Sequence, residues 1–85
     1  MNEKRAKQLI IKMVERPTSL KYDELCKLCE KFFGKPRQSS SSHRVYKTPW
    51  VGDPRINIQN KKGKAKFYQV QQVLKAIKKL EDKNG

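Results

Sequence analysis

Apolar positions along this chain recur first with the period of a helix, then with that of a strand, then with that of a helix again. Between residues 3 and 15, Leu9, Ile10, Met13 and Val14 fall at i, i+1, i+4 and i+5, a narrow stripe on a charged segment that predicts a helix over 3–16, ended by Pro17. Thr18 and Ser19 offer capping hydroxyls to a second helix over 20–33, where Leu25, Leu28, Cys29, Phe32 and Phe33 share one side, acids come early and Gly34 marks the stop. Beyond Gly34 the period shortens to two. KPRQ, HRVYKT and RINIQN predict three strands within 35–59, an antiparallel meander in which SSSS is a turn and PWVGDP a loop. KKGKAK, residues 61–66, is too charged to bury and predicts a solvated loop. Val70, Val73, Leu74, Ile77 and Leu80 then predict a final helix over 67–82 lying against the sheet.

These elements make one α+β domain over 1–85, with helices on one face of a small antiparallel sheet. Setting the first helix aside, the order α-β-β-β-α is that of the double-stranded-RNA-binding domain. The expected architecture is therefore a dsRBD-like two-layer fold with an additional N-terminal helix.

Charge narrows the partners. Lys and Arg number 21 against 8 Asp and Glu, a formal net charge of +13, which calls for a polyanion. No apolar run is long enough to span a bilayer, and no lipid signal or secretory leader is visible, so a membrane is not the expected partner and the cytoplasm is the expected location. Cys26 and Cys29 are spaced like half of a zinc site, but the second pair is missing and His43 cannot replace it, so both are expected to be structural thiols. Asp23, Glu24 and Glu30 look like ordinary helix-surface acids, and no carboxylate cluster suited to Mg²⁺ is evident. Neither a metal nor a cofactor is expected.

The one histidine, His43, stands at a strand start directly after four serines. An imidazole is the side chain that ordinarily exchanges a proton near neutral pH. Arg37, Arg44 and Lys47 flank it in sequence, so a phosphodiester held there would present its 2′-hydroxyl or leaving oxygen to it. Parity along the strand groups His43 with Val45 and Lys47 and sets Arg44 and Tyr46 on the other face. With Val45 turned toward the helices, His43 is expected at the rim of the helix-covered face, where the last helix begins. Lys61, Lys62, Lys64 and Lys66 lead into that helix start and are candidate phosphate contacts. Ser42 can orient His43 or touch phosphate. Tyr68 can donate to a phosphate or supply a proton, and Tyr46 and Trp50 can stack on bases if they are not packed in the core.

With those residues in view, the chain resembles the HicA family, the toxins of HicA/HicB toxin–antitoxin pairs. The resemblance rests on LKYDELCKLCEKFFGK, SSHRVYKTP and RINIQNKKGKAKFYQVQQVLK, in register from about residue 18 to 80. Its most specific part is Asn57-Ile58-Gln59, then Gly63-Lys64-Ala65-Lys66, then Tyr68-Gln69-Val70. Three positions depart from the family pattern: Ser41 stands where it has glycine, Arg44 where a second histidine is frequent, and Phe67 where proline is frequent. The resemblance implies a metal-independent endoribonuclease that cleaves mRNA with the histidine at position 43. It also implies silencing by a HicB-like antitoxin, with DNA contacted only through the antitoxin complex. The charge of +13 adds the expectation that this antitoxin presents an acidic surface. Two alternatives remain open on the residues alone: a non-catalytic RNA-binding module of dsRBD type, and an adaptor that holds an acidic protein.

Overall fold

The computed structural model describes residues 1–40, 42–50 and 55–84. Ser41 of the expected turn and residues 51–54 of the expected PWVGDP loop lie outside the described residues.

Helix α1 (Glu3–Glu15) begins at Asn2, whose side-chain oxygen accepts from the Arg5 amide at 2.8 Å. Its buried stripe is Ala6, Leu9 and Met13, and Val14, expected to belong to it, is 58 % exposed. The stripe runs at i, i+3, i+7, which leaves Val14 about 100° around the helix from Met13. Thr18 and Ser19 do not cap the second helix. They belong to a 3₁₀ turn (Pro17–Ser19) closed by the Ser19 hydroxyl and amide, which both donate to the Arg16 carbonyl, at 2.8 and 3.1 Å.

Helix α2 (Tyr22–Phe33) starts instead after Lys21, whose amide donates to Glu24 Oε1 at 3.0 Å. The Glu24 carboxylate also receives Arg5 Nη2 at 3.0 Å and Lys12 Nζ at 3.1 Å. Glu24, expected to be an ordinary surface acid, thus fastens α1 onto α2, with Glu3 and Lys31 as a second tie at 2.8 Å. Gly34 ends α2 with φ +87°, a backbone that disfavours a side chain, and its amide donates to the Glu30 carbonyl.

The sheet has four antiparallel strands in the order β1 (Gln38–Ser39), β2 (His43–Tyr46), β3 (Ile56–Lys61) and β4 (Lys64–Ala65), followed by α3 (Phe67–Asn84). Three strands and a solvated KKGKAK loop were the expectation. Lys61, Lys62 and Lys64 are indeed exposed and Lys66 is half-buried, but the backbone is paired: Lys61 closes β3, Lys64 opens β4, and Lys62 and Gly63 turn between them at φ 51° and 83°. Two positive-φ residues between paired strands are the type I′ hairpin, which a charge run does not reveal. Of KPRQ only Gln38 lies in a strand, opposite Val45. The outer edge of β4 is covered by the entry to α2, where the Ala65 amide donates to Leu20 O at 3.1 Å and the Tyr22 amide to Gly63 O at 3.0 Å.

The parity of β2 is the reverse of the expectation. Tyr46 is fully buried and pairs with Ile56, and Arg44 pairs with Ile58; Ile56 and Ile58 both pack into the core with Leu25, Leu28, Val70 and Val73. The helices therefore cover the face of Arg44 and Tyr46, and His43 and Val45 project to the opposite one. Tyr46 prevails over Val45 because its ring brings far more apolar area to the core.

Burial alone would raise the Glu24 carboxyl, but the Lys21 amide, the Lys12 ammonium and the Arg5 guanidinium outweigh it and hold the group below its usual 4.5. A lowered folded value adds stability above the unfolded value that is lost as pH falls through the folded one. Urea titrations should therefore show stability dropping below pH 4.5. Glu24→Gln should flatten that drop and cost roughly 1 to 2 kcal/mol at neutral pH. In the hairpin, Gly63→Ala meets no atom within 4 Å, yet its positive φ should lower stability by about 1 kcal/mol. Lys62→Asn should hold or raise the Tm.

Candidate functional site

His43 is pinned by its backbone from both sides. On the β1 side the Ser40 amide and hydroxyl donate to the His43 carbonyl at 2.8 and 3.2 Å. On the β3 side the Asn60 amide donates to Ser42 O at 2.8 Å, and Gln59 stands directly opposite His43. Ser40 and Ser42 thus hold the start of β2 in place from its two sides.

Gln59 carries the second half of the site. Its Oε1 accepts from Lys66 Nζ at 2.7 Å, and its amide, left without a partner on the β4 side, donates to Gln69 Oε1 at 2.9 Å. Gln69 lies in the first turn of α3 and is 2 % exposed. The half-buried Lys66 immediately precedes α3, and its carbonyl accepts from the Gln69 and Val70 amides, both at 3.0 Å. The amides of Phe67 and Tyr68 come before the first intrahelical bond and have no acceptor within the helix. One ammonium group is therefore held on the residue opposite His43, and a second glutamine ties that residue to the start of α3.

Ser42, His43, Gln59, Asn60, Lys61 and Lys66 line a groove of about 390 Å³. A second groove, of about 660 Å³, is lined by Thr18, Lys61, Lys62, Lys64, Ala65, Lys66, Phe67 and Tyr68. Lys61 and Lys66 belong to both, and among the described residues no acidic side chain lines either. The combination of a half-buried imidazole, hydrogen-bonding amides, the ammonium group of Lys66 fixed by Gln59 and that of Lys61 can bind an anion and move a proton next to it.

Of the residues singled out by sequence, His43, Ser42, Lys61 and Lys66 come together in the first groove, and Lys62, Lys64 and Tyr68 lie in the second. Arg37 and Lys47 are exposed and line neither. Arg44, a candidate phosphate contact expected on the sheet face away from the helices, is turned to the helices: it meets Glu30 Oε2 at 3.3 Å and its guanidinium lies 5.8 Å from the centre of the Tyr22 ring. Glu30 is accordingly no free surface acid, since it also accepts from the Tyr46 hydroxyl at 2.9 Å. Tyr46 and Trp50 are packing residues; Trp50 meets the edge of Phe33 at 6.3 Å and carries Lys79 Nζ over its ring at 4.6 Å.

Cys26 and Cys29 are buried free thiols in the core, and burial pushes both up, Cys29 well above its usual value. Among the described residues no three His, Cys, Asp or Glu side chains gather as a metal ion would need, and no helix is long and apolar enough to cross a membrane. Gln59, Asn60, Gln69 and Phe67 were not expected in the site. The signal for Gln59 was its place directly after Ile58, at the strand parity opposite to the buried Ile56 and Ile58, but only the register with β2 sets it opposite His43.

No family model, curated protein or solved structure matches the chain.

Gln69→Leu keeps the buried volume and removes the acceptor of the Gln59 amide. It should cost about 1 to 3 kcal/mol in urea unfolding, and Gln69→Glu, which still accepts, should recover most of the loss.

Proposed function

We propose that this chain is a metal-independent endoribonuclease toxin of the HicA type, with a dsRBD-like fold, that cleaves mRNA in the cytoplasm. The observation that carries the reading is the juxtaposition of His43, Gln59 and Lys66 in an open groove without acids. A phosphodiester fits its charge, and RNA carries its own nucleophile.

In the reaction, an imidazole nitrogen of His43 takes the proton of a 2′-hydroxyl, and the 2′-oxygen attacks the adjacent phosphorus. The bond from phosphorus to the 5′-oxygen breaks, and that oxygen leaves as a hydroxyl after receiving a proton, from water or back from the imidazole. The products are a 2′,3′-cyclic phosphate and a 5′-hydroxyl end. Lys66 and Lys61 face the charge that builds on the phosphorane, and Gln59 keeps Lys66 from swinging away. A HicB-like antitoxin with an acidic surface silences the enzyme by covering these lysines, and DNA is met only through that complex.

One observation favours the non-catalytic alternative, a dsRBD-type module that grips RNA without cutting it. The chain has a single histidine, so no second imidazole stands by His43 to serve as the acid.

Incubation of the purified protein with RNA in EDTA separates the two. Wild type should yield cyclic-phosphate ends, and His43→Ala should be slower by about 10²- to 10⁴-fold while keeping the wild-type Tm. Equal cleavage by both proteins sinks the role of His43, and intact RNA with the wild type leaves the binding module.

A further inference from the structure

The chain has seven aromatic side chains, and their exposure is divided sharply. Tyr22 and Tyr46 are buried and Phe32, Phe33 and Trp50 are half-buried against the core. Phe67 and Tyr68, by contrast, are 48 % and 61 % exposed, consecutive, and both in the groove of about 660 Å³. They open α3, where its apolar stripe has not yet begun: the first helix residues turned into the core are Gln69 and Val70. Their rings therefore do nothing for the core.

Their neighbours in that groove are Lys61, Lys62, Lys64 and Lys66. Two exposed rings among four ammonium groups suit a ligand that is flat and apolar at one end and anionic at the other. An apolar peptide matches the rings and is opposed by the lysines; an acidic peptide matches the lysines and leaves the rings in water. A nucleotide matches both, since every base has a face that stacks on an aromatic ring and each base comes with a phosphate. A duplex keeps its bases stacked inside and offers only its backbone.

We propose that Phe67 and Tyr68 form a stacking platform for unpaired bases, so that the nucleic acid taken by this site is a single strand. This rests on the reading of the neighbouring groove as the place of RNA cleavage and names its substrate class. Lys61 and Lys66 line both grooves, so the backbone of one strand passes over them from the platform to His43. The bases beside the scissile bond are splayed onto the rings, which frees the backbone there from helical geometry and lets the 2′-oxygen swing into line with the breaking bond. Gln59 and the hairpin lysines hold the backbone, and the rings hold the bases.

Fluorescence anisotropy tests this with a labelled RNA strand of about 12 nucleotides, within the span that such grooves occupy. The protein carries His43→Ala, which keeps the strand whole. Phe67→Ala and Tyr68→Ala should each weaken binding by about 5- to 150-fold. The slope of affinity against salt should not change, since every lysine remains. Tyr68→Phe should bind like the parent. Replacing the central nucleotides by abasic ones should weaken the parent to the level of the alanine variants and weaken those variants little further. The same sequence as a duplex should bind more weakly than the strand and ignore both substitutions. Since both rings are exposed, the variants should keep the parent Tm.

The proposal is overturned if the alanine variants bind the strand within about twofold of the parent, if the duplex binds as tightly as the strand, or if Tyr68→Phe is as weak as Tyr68→Ala. It is also overturned if polyglutamate, and not RNA, binds in a manner that depends on the rings. Failure of the cleavage reading looks different: wild type leaves RNA intact in EDTA while the dependence on Phe67 and Tyr68 persists. That pair of results supports the platform and removes the nuclease.

Discussion

The register of β2 on β3 decides everything that the open face of the sheet can do. Opposite residues in an antiparallel pair share a face, so burying Tyr46 with Ile56, and Ile58 with the stem of Arg44, places His43 and Gln59 together on the other side. A slip of one residue would reverse every side chain and drive the imidazole under the helices. Tyr46 guards against that slip with more than its ring. Its hydroxyl donates to Glu30 Oε2 at 2.9 Å and meets the Cys26 carbonyl at 3.3 Å, partners that exist only on the α2 side. The position of the one histidine is thus a consequence of core packing several residues away.

Charge is distributed to the same effect. Glu3, Glu24 and Glu30 each engage a basic partner on the helical side of the molecule, through Lys31, through Arg5 and Lys12, and through Arg44. Among the described residues no acid relieves the hairpin in this way: Lys61 and Lys64 are directly opposite in the ladder, where like charges repel. Several features hold it closed nonetheless. The Gly63 amide donates to Asn60 Oδ1 at 2.6 Å, Gly63 takes the positive φ that the turn demands, and β4 is bonded to the entry of α2. Surrounding contacts thus hold two like charges together against their repulsion.

The helices were legible because their stripes are long: Leu9 and Met13, Leu25 and Leu28, Val70, Val73 and Ile77 announce both the elements and their buried faces. Ile56 and Ile58 announced β3 in the same way. What escaped was set by contacts between distant residues. Four alternating residues in β2 fit either face equally well, and only the size of Tyr46 against the helices chose between them. KKGKAK advertises charge, which hides the pairing of its backbone, and Glu24 looks like any early helix acid until α1 folds onto it. Of the site, His43 and the lysines were visible as residue types. Gln59 and Gln69 were not, because a glutamine has no distinctive chemistry until a register and a helix start bring it to a lysine and an unpaired amide.

Parity also settles what Arg44 means for a site with one histidine. Positions 43 and 44 are consecutive in an extended strand, so their side chains leave opposite faces of the sheet whatever residues occupy them. A histidine at 44 would lie where the arginine lies, beside Tyr22 and Glu30 and beneath α2, and would exchange protons with that carboxylate rather than with a ligand in the groove of His43. Replacing it by arginine therefore takes nothing from that groove. The cation that does stand there is Lys66, brought in from the start of α3 and fixed at 2.7 Å by Gln59. The complement to the imidazole is to be sought across the sheet, on β3 and the helix start that follows it, and not in the next residue of its own strand.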